Sequence, residues 1–203
     1  MKKGDIEMKK YSAGLTGAPF LYFETNKCLE LKSQGLSIDE IKNKIFNENL
    51  FNYKKTSAIS RTFSGIKKRI ENLDEQLLNI YNEEFIETKK QIILYLICKT
   101  EPILLDFLNE IITEKIKFSD YEIKSIDFIK FLNNKAENFE EVAKWTENTK
   151  NKIISVMKKI LYETNIIKDK KYTKLQKIVL NHKFEKYLEE KNEKEFLKIF
   201  LQL

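Results

Sequence analysis

The chain of 203 residues, 42% of them hydrophobic and 12% aromatic, can bury a sizeable core, which excludes a disordered tail and allows one large or two small domains. Five glycines and two prolines leave too few turns for a β-sandwich or barrel, so the expected fold class is all-α, a helical bundle. The net charge of +6 favours a polyanionic partner without demanding one.

Three features bear on cellular location. The two cysteines, Cys28 and Cys98, lie in apolar surroundings without paired spacing, which predicts buried free thiols and a reducing cytoplasm. Residues 1–11 read as a mobile basic lead-in, and no apolar region of the kind found in a secretory signal follows their lysines. The most apolar run, 91–98, is far shorter than the ~20 residues that cross a bilayer. A cytoplasmic protein without membrane association is predicted.

The first helix is expected to enter at Thr16 to Pro19 and to continue to about Gln34, with Gly35 as its stop. Its predicted inward residues are Phe20, Phe23, Cys28 and Leu31.

Two short amphipathic helices follow. Ser37 is a good N-cap for the first, polar residues interrupt the pattern at 47–53, and Thr56 is a capping candidate for a second helix to about Glu71. At ~100° per residue the second helix has an apolar stripe and an opposite polar face. The apolar stripe consists of Ile59, Thr62, Phe63, Ile66 and Ile70, and the polar face of Ser57, Arg61, Ser64 and Lys68, flanked by the small Ala58 and Gly65.

The second of these helices is strongly basic. Lys54, Lys55, Lys67 and Arg69 surround its polar face, and no acid occurs between Glu48 and Glu71. This is the layout of a helix-turn-helix unit, in which one face of the second helix is anchored and the other enters the major groove of DNA. A solvated basic face that only maintains solubility is the alternative.

The middle of the chain is predicted to be a helical hairpin. Residues 91–98 are so apolar that their helix must be covered on most sides, and Glu101-Pro102 forces a break before a second apolar helix to about Ile116. Further on, a short helix, a turn at Thr146 and a long amphipathic helix repeat the earlier order. The inner face of that long helix comprises Ile153, Ile154, Met157, Ile160 and Leu161, and its outer face comprises Asn148, Lys152, Ser155 and Lys159.

The last part of the chain leaves one alternative open. Residues 166–179 form either a short β-wing after the long helix or a lysine-rich connection between two helices. From Lys183 to Leu203 one amphipathic helix is expected, packed on the body through Phe184, Tyr187, Leu188, Phe196, Leu197 and Phe200.

No catalytic constellation is found, so the sequence predicts a protein that is not an enzyme and that needs no cofactor or metal. His182 and two distant cysteines cannot build a zinc site or a Cys-His pair, and no glycine-rich phosphate loop occurs. The nearest approach to a nuclease site is Asp106 with Glu122 and Lys124, in a region that reads as helix and loop.

Four segments carry a resemblance to a known family: YSAGLTGAPFLYFET, GLSIDEIKNKIFNENLF, SRTFSGIKKRI and WTENTKNKIISVMKKIL. In this order, over most of residues 11–165, they resemble BrxA, a family of small proteins of the bacterial BREX phage-exclusion systems. The resemblance weakens after about Ile167. It implies a non-enzymatic, mostly helical, DNA-binding component of a multi-gene defence system that separates host from phage DNA by methylation, with other proteins of that system as partners.

Together these expectations define three units: an N-terminal helix-turn-helix-like unit (1–82), a central hairpin (83–117) and a C-terminal helix-turn-helix or winged-helix-like unit (118–203). Double-stranded DNA is the expected partner. The main rival is an adaptor whose basic helices dock acidic protein surfaces. RNA is a third candidate, disfavoured because an all-α body lacks the aromatic sheet that stacks single-stranded bases.

Overall fold

The computed structural model describes residues 11–203, and over this range the predicted all-α fold is confirmed. The expected basic lead-in lies, except for Tyr11, outside the described residues. A 3₁₀ turn (Gly14–Thr16) precedes the helices, and a π-helical turn spans Leu108–Ile112. The helices are α1 (Tyr22–Ser33), α2 (Ile38–Glu48), α3 (Thr56–Ile70), α4 (Glu75–Glu83), α5 (Ile86–Thr100), α6 (Pro102–Phe107), α7 (Thr113–Lys117), α8 (Ser125–Asn138), α9 (Glu140–Ala143), α10 (Glu147–Glu163), α11 (His182–Glu190) and α12 (Lys194–Gln202).

The α1 helix starts later than expected and ends as expected. Leu21 has a left-handed backbone (φ 53°), so the helix begins only at Tyr22, after an irregular approach. Gly35 (φ +87°) ends the helix, and the next amide reaches back to Leu31, the pattern of a Schellman motif. The prediction that Phe23 packs inward is wrong, because its side chain is 49% exposed.

The α2 and α3 helices form the predicted pair around a tight turn. Ser37 caps α2 as expected, and its capping box is completed by the Glu40 carboxylate. Asn49 closes the turn by exchanging two hydrogen bonds of 3.1 Å with the backbone of Tyr53. The N-cap of α3 is Lys55, and Thr56 is its first helical residue. The α3 helix then packs on α1, α2 and α5.

The α5 helix is the centre of the core, since all eight residues of 91–98 are buried. Pro102 starts α6 after the expected break, and α6 contacts α5. The two cysteines are buried and free, as predicted.

The C-terminal tail folds back on the body, but as two helices. Asn192 (φ 57°) interrupts the single helix that was expected and separates α11 from α12. Tyr95 of α5 receives the tail through edge contacts with Phe184, Tyr187 and Phe196. The buried apolar side chains, from Tyr11 to Leu203, form one continuous core.

After α10 the chain forms a hairpin rather than a regular strand pair. Within residues 11–203 no sheet occurs, and the extended contacts are two isolated antiparallel bridges, Ile167 with Leu175 and Glu122 with Lys174. No helix in this range is both long and apolar enough to cross a bilayer.

Candidate nucleic-acid interface

The α3 helix is seated in the core by the predicted stripe. Ile59, Phe63, Ile66 and Ile70 are at most 4% exposed. The cationic and hydroxyl side chains predicted to face outward are exposed, with the exception of Arg69; they are Lys54, Lys55, Ser57, Arg61, Ser64, Lys67 and Lys68. The amphipathic pattern therefore fixed the orientation of this helix correctly.

The predicted placement of Arg69 around the outer face is wrong, because its side chain is only 1% exposed and is therefore not accessible to DNA. Its guanidinium donates hydrogen bonds to the backbone carbonyls of Ala18 and Phe20. Burial lowers the pKa of Arg69 to about 10. Arg69 follows Ile66 by three residues, and this i, i+3 spacing is the signal that places it on the buried side. Its role is to hold the segment before α1.

The α10 helix has the same two-faced construction. Thr146 caps it by accepting a hydrogen bond from the amide of Thr149. All five predicted inner residues, Ile153, Ile154, Met157, Ile160 and Leu161, are buried. The predicted outer residues Asn148, Lys152, Ser155 and Lys159 are all exposed.

The outward cations of these two helices differ from many other lysines in their pairing. Lys27, Lys115 and Lys183 lie within 3 Å of acidic side chains. On α3, Lys67 approaches Glu71 at 3.8 Å, at the limit of an ion pair. No ion pair joins another described residue to Arg61, Lys68, Lys152 or Lys159. These exposed cations can therefore bind an external anion, although the charge of Lys68 also acts on the Glu101 carboxyl group.

Residues 14–18, here called the linking segment, contact both basic helices. The 3₁₀ turn packs on α10, and Gly17 lies beside the stem of Arg61, whose Cδ would be 3.8 Å from a Cβ added to that glycine. Ala18 fits against Gly65 so closely that a Cβ on Gly65 would overlap the alanine methyl group. Gly65, one of the two small residues that flank the predicted polar face, thus makes room for another part of the same chain.

A buried polar cluster holds Tyr11, which precedes the linking segment by three residues. The ammonium group of Lys135 donates to Asp106 (2.7 Å) and Glu110 (2.6 Å), two side chains that flank the start of the π-helical turn. The Tyr11 hydroxyl also donates to Asp106. Burial, followed by the hydrogen bond to Asp106, raises the pKa of Tyr11 to about 12. Burial alone would lower the pKa of Lys135, but its bonds to the two carboxylates raise it.

The three residues that come nearest to a nuclease site in the sequence are not brought together in the structure. Asp106 lies in the buried cluster, whereas Glu122 and Lys124 form an exposed ion pair of 3.2 Å. His182 is exposed. Among the described residues, no three His, Cys, Asp or Glu side chains are grouped to hold a metal ion.

One further basic feature, the hairpin loop 168–174, was not among the residues predicted to contact DNA. Its four lysines, Lys168, Lys170, Lys171 and Lys174, are exposed. Their density in the sequence was visible, but their position beside α10 depends on contacts made after the chain reverses.

The fold and these surfaces define a class: an all-α protein in which two amphipathic basic helices are seated on one core. The family model of BrxA matches residues 9–192, so the chain belongs to the BrxA family.

Relatives and a solved structure agree with this assignment. A BREX protein BrxA of Bacillus cereus (strain H3081.97) is 31% identical over 166 residues, which cover 82% of this chain and 83% of that protein. A BREX protein BrxA of Paramagnetospirillum magneticum (strain AMB-1) is 21% identical over 184 residues, 91% and 92% of the two chains. The fold is also that of a crystal structure of an uncharacterized protein from Magnetospirillum magneticum, with a TM-score of 0.82, 20% identity and coverage of 95% of this chain and 98% of that one.

Proposed function

We propose that this protein binds double-stranded DNA through the outer faces of α3 and α10. The observation that carries the proposal is that both helices bury their apolar faces in one core while Arg61, Lys68, Lys152 and Lys159 remain exposed, without an ion-pair partner among the described residues. Cations of this kind can replace the counterions condensed on DNA phosphates, and the released counterions drive association.

The local architecture supports a helix-turn-helix mode of binding. In each half of the chain a shorter helix and a turn precede the basic helix: α2 before α3, and α9 before α10. In a helix-turn-helix the second helix lies in the major groove, with its outer side chains at the bases and phosphates. We assign the α2–α3 pair to an N-terminal unit (1–82) and the α9–α10 pair to a C-terminal unit (118–203). The helical hairpin (83–117) lies between them in the sequence.

Binding of this kind is mainly electrostatic. The outer faces carry mainly lysine and short hydroxyl side chains, and among the residues assigned to them only Arg61 of α3 and Asn148 of α10 can make bidentate contacts. A bidentate contact to a base edge discriminates by about 1–3 kcal/mol, whereas phosphate contacts add affinity without discrimination. Weak sequence preference and a steep dependence on salt are expected.

The family gives this binding a context. Because the relatives are named BREX proteins, we propose that this chain is a non-enzymatic accessory protein of a BREX phage-defence system and works with other proteins of that system. The buried free thiols fit a reducing cytoplasm, where such a system would act.

The test is a titration of fluorescent duplex DNA at several salt concentrations with two charge-reversed double variants. Arg61→Glu/Lys68→Glu alters α3, and Lys152→Glu/Lys159→Glu alters α10. Each should weaken binding to all duplexes by an order of magnitude or more at low salt, because each replaces two potential phosphate contacts by repulsion.

The matched control reverses Lys194 and Lys198 on α12, which are exposed and have the same charge. It should bind almost as the parent does. Unchanged affinity in both test variants, with their circular dichroism intact, would reject the DNA-facing assignment and favour the adaptor that docks acidic proteins. Preferential loss of RNA binding would instead identify RNA as the ligand.

A further inference from the structure

The hairpin loop 168–174 carries a concentration of positive charge that neither basic helix accounts for. Its four lysines are exposed, and no ion pair joins any of them to a described residue. The nearby acid Glu122, whose backbone bridges to Lys174, pairs its carboxylate with Lys124 instead. Asp169 is the one acidic residue within the loop, so its four lysines leave a net positive charge that no ion pair with a described residue neutralises.

The loop has a defined conformation. The carboxylate of Asp169 accepts hydrogen bonds from the backbone amides of Lys171 (3.2 Å), Thr173 (2.9 Å) and Lys174 (2.7 Å), and from the Thr173 hydroxyl (3.0 Å). Desolvation acts to raise the pKa of Asp169, but these bonds lower it overall. Because the backbone is already ordered, binding a ligand through this loop costs less conformational entropy than binding through a free lysine-rich tail.

Two sets of contacts fix the loop against α10. The amides of Ile166 and Ile167 both donate to Leu161, so the chain reverses directly after the helix. The rings of Tyr162 and Tyr172 then meet edge to face, with centroids 5.6 Å apart.

On the other side, the loop is held by the chain before α8. The amide of Ile123 donates to Thr173, and the amide of Leu175 donates to Tyr121, both at 2.9 Å. The loop thus lies between α10 and this segment, in the position that a wing takes after a recognition helix.

Helical spacing aligns the loop with the outer face of α10. The outer positions Lys152, Ser155 and Lys159 recur at steps of three and four, and the next step is Tyr162. Tyr162 is the residue that contacts the loop. The row of lysines on α10 is therefore continued, past this tyrosine pair, by the lysines of the loop.

We propose that the hairpin loop 168–174 is a phosphate-binding wing, which contacts the same DNA duplex as α10 and extends its footprint along the backbone. This inference rests on the proposed function, because it assigns a second contact to the same DNA-binding surface. The ligand is the phosphodiester backbone of duplex DNA, with Lys170 and Lys171 at the tip of the loop as its principal contacts.

The experiment measures the dissociation constant for a duplex as a function of salt, for the parent and for Lys170→Gln/Lys171→Gln. Each phosphate contact contributes about 0.9 to the slope of the logarithm of the dissociation constant against the logarithm of the salt concentration. The double variant should lower the slope by roughly 1–2 and weaken binding on the order of tenfold near physiological salt. Lys194→Gln/Lys198→Gln on α12 makes the same change in net charge and should leave the slope at the parent value.

A second variant separates an ordered wing from simple charge. Asp169→Ala makes the protein more positive by one charge, so a purely electrostatic surface would bind DNA more tightly. If the folded loop positions its lysines, the variant binds several-fold more weakly in spite of its added charge. Tighter binding would overturn the proposed positioning by Asp169.

The outcomes distinguish this inference from the proposed function. A parent protein that does not bind duplex DNA refutes both. A parent that binds, with α10 variants that bind weakly and a Lys170→Gln/Lys171→Gln variant that retains the parent slope, refutes the wing alone. An equal decrease of slope in the loop and α12 variants also refutes it, because the effect would then be one of net charge.

Discussion

Replacing Lys135 by Met tests the anchoring cluster most directly. Lys135 is 6% exposed, and its ammonium group donates to Asp106 and Glu110 while lying over the rings of Phe131 and Phe139. Methionine retains much of the apolar stem but removes the charge, so the buried Asp106 carboxylate loses the ion pair with Lys135. Removing one partner of a buried ion pair costs about 3–5 kcal/mol.

The assay is urea unfolding followed by circular dichroism, supplemented by thermal melting. For a chain of this size, about 3–5 kcal/mol corresponds to a decrease in Tm of roughly 6–20 °C. The double variant Lys135→Met/Asp106→Leu should recover part of this loss, because neither charge then remains buried. A loss below about 1 kcal/mol in the single variant, or a double variant less stable than the single one, would refute this account of the cluster.

Three further predictions concern the linking segment and its anchors. Gly65→Ala should destabilise the protein by about 1–3 kcal/mol through overlap with Ala18, although alanine is the better helix former; Ala18→Gly in the same chain should relieve the loss, as measured by urea midpoints. Arg69→Met should lower the free energy of unfolding by about 1–3 kcal/mol for each carbonyl that loses its donor. An unchanged urea midpoint in this variant would contradict that role. Tyr11 and Lys135 both have raised pKa values in the folded protein, so their contribution to the free energy of unfolding is complete below pH 10 and declines as the pH rises from about 10 towards 12. Unfolding curves measured across this range should therefore show decreasing stability. The decrease should be smaller in Lys135→Met.

Local sequence was sufficient wherever one helix and its immediate ends decided the outcome. The capping box at Ser37, the αL stop at Gly35 and the break at Pro102 depend on atoms a few residues apart. The inner faces of α3 and α10 follow from a 3.6-residue period, because a helix in a single core must bury its apolar side. The family resemblance, also legible in the sequence, was confirmed by the match over residues 9–192.

Tertiary structure decided the positions whose partners are distant in the chain. Arg69 was predicted as a DNA contact because it lies in a basic run, yet its acceptors are carbonyls 49 and 51 residues earlier. Lys135 binds a carboxylate 29 residues away. A charged side chain is stable inside a protein only when such partners surround it, and helical periodicity carries no information about which segments will supply them.

The same limit explains the hairpin loop. The run of lysines at 168–174 was visible, and the sequence left a wing and a helical connection equally open. The conformation of this run is set by contacts to other elements: the Tyr162 ring on α10 and the backbone of 121–123. Charge density is a property of the sequence, but its placement beside a helix face is set by packing and by backbone pairing across the fold.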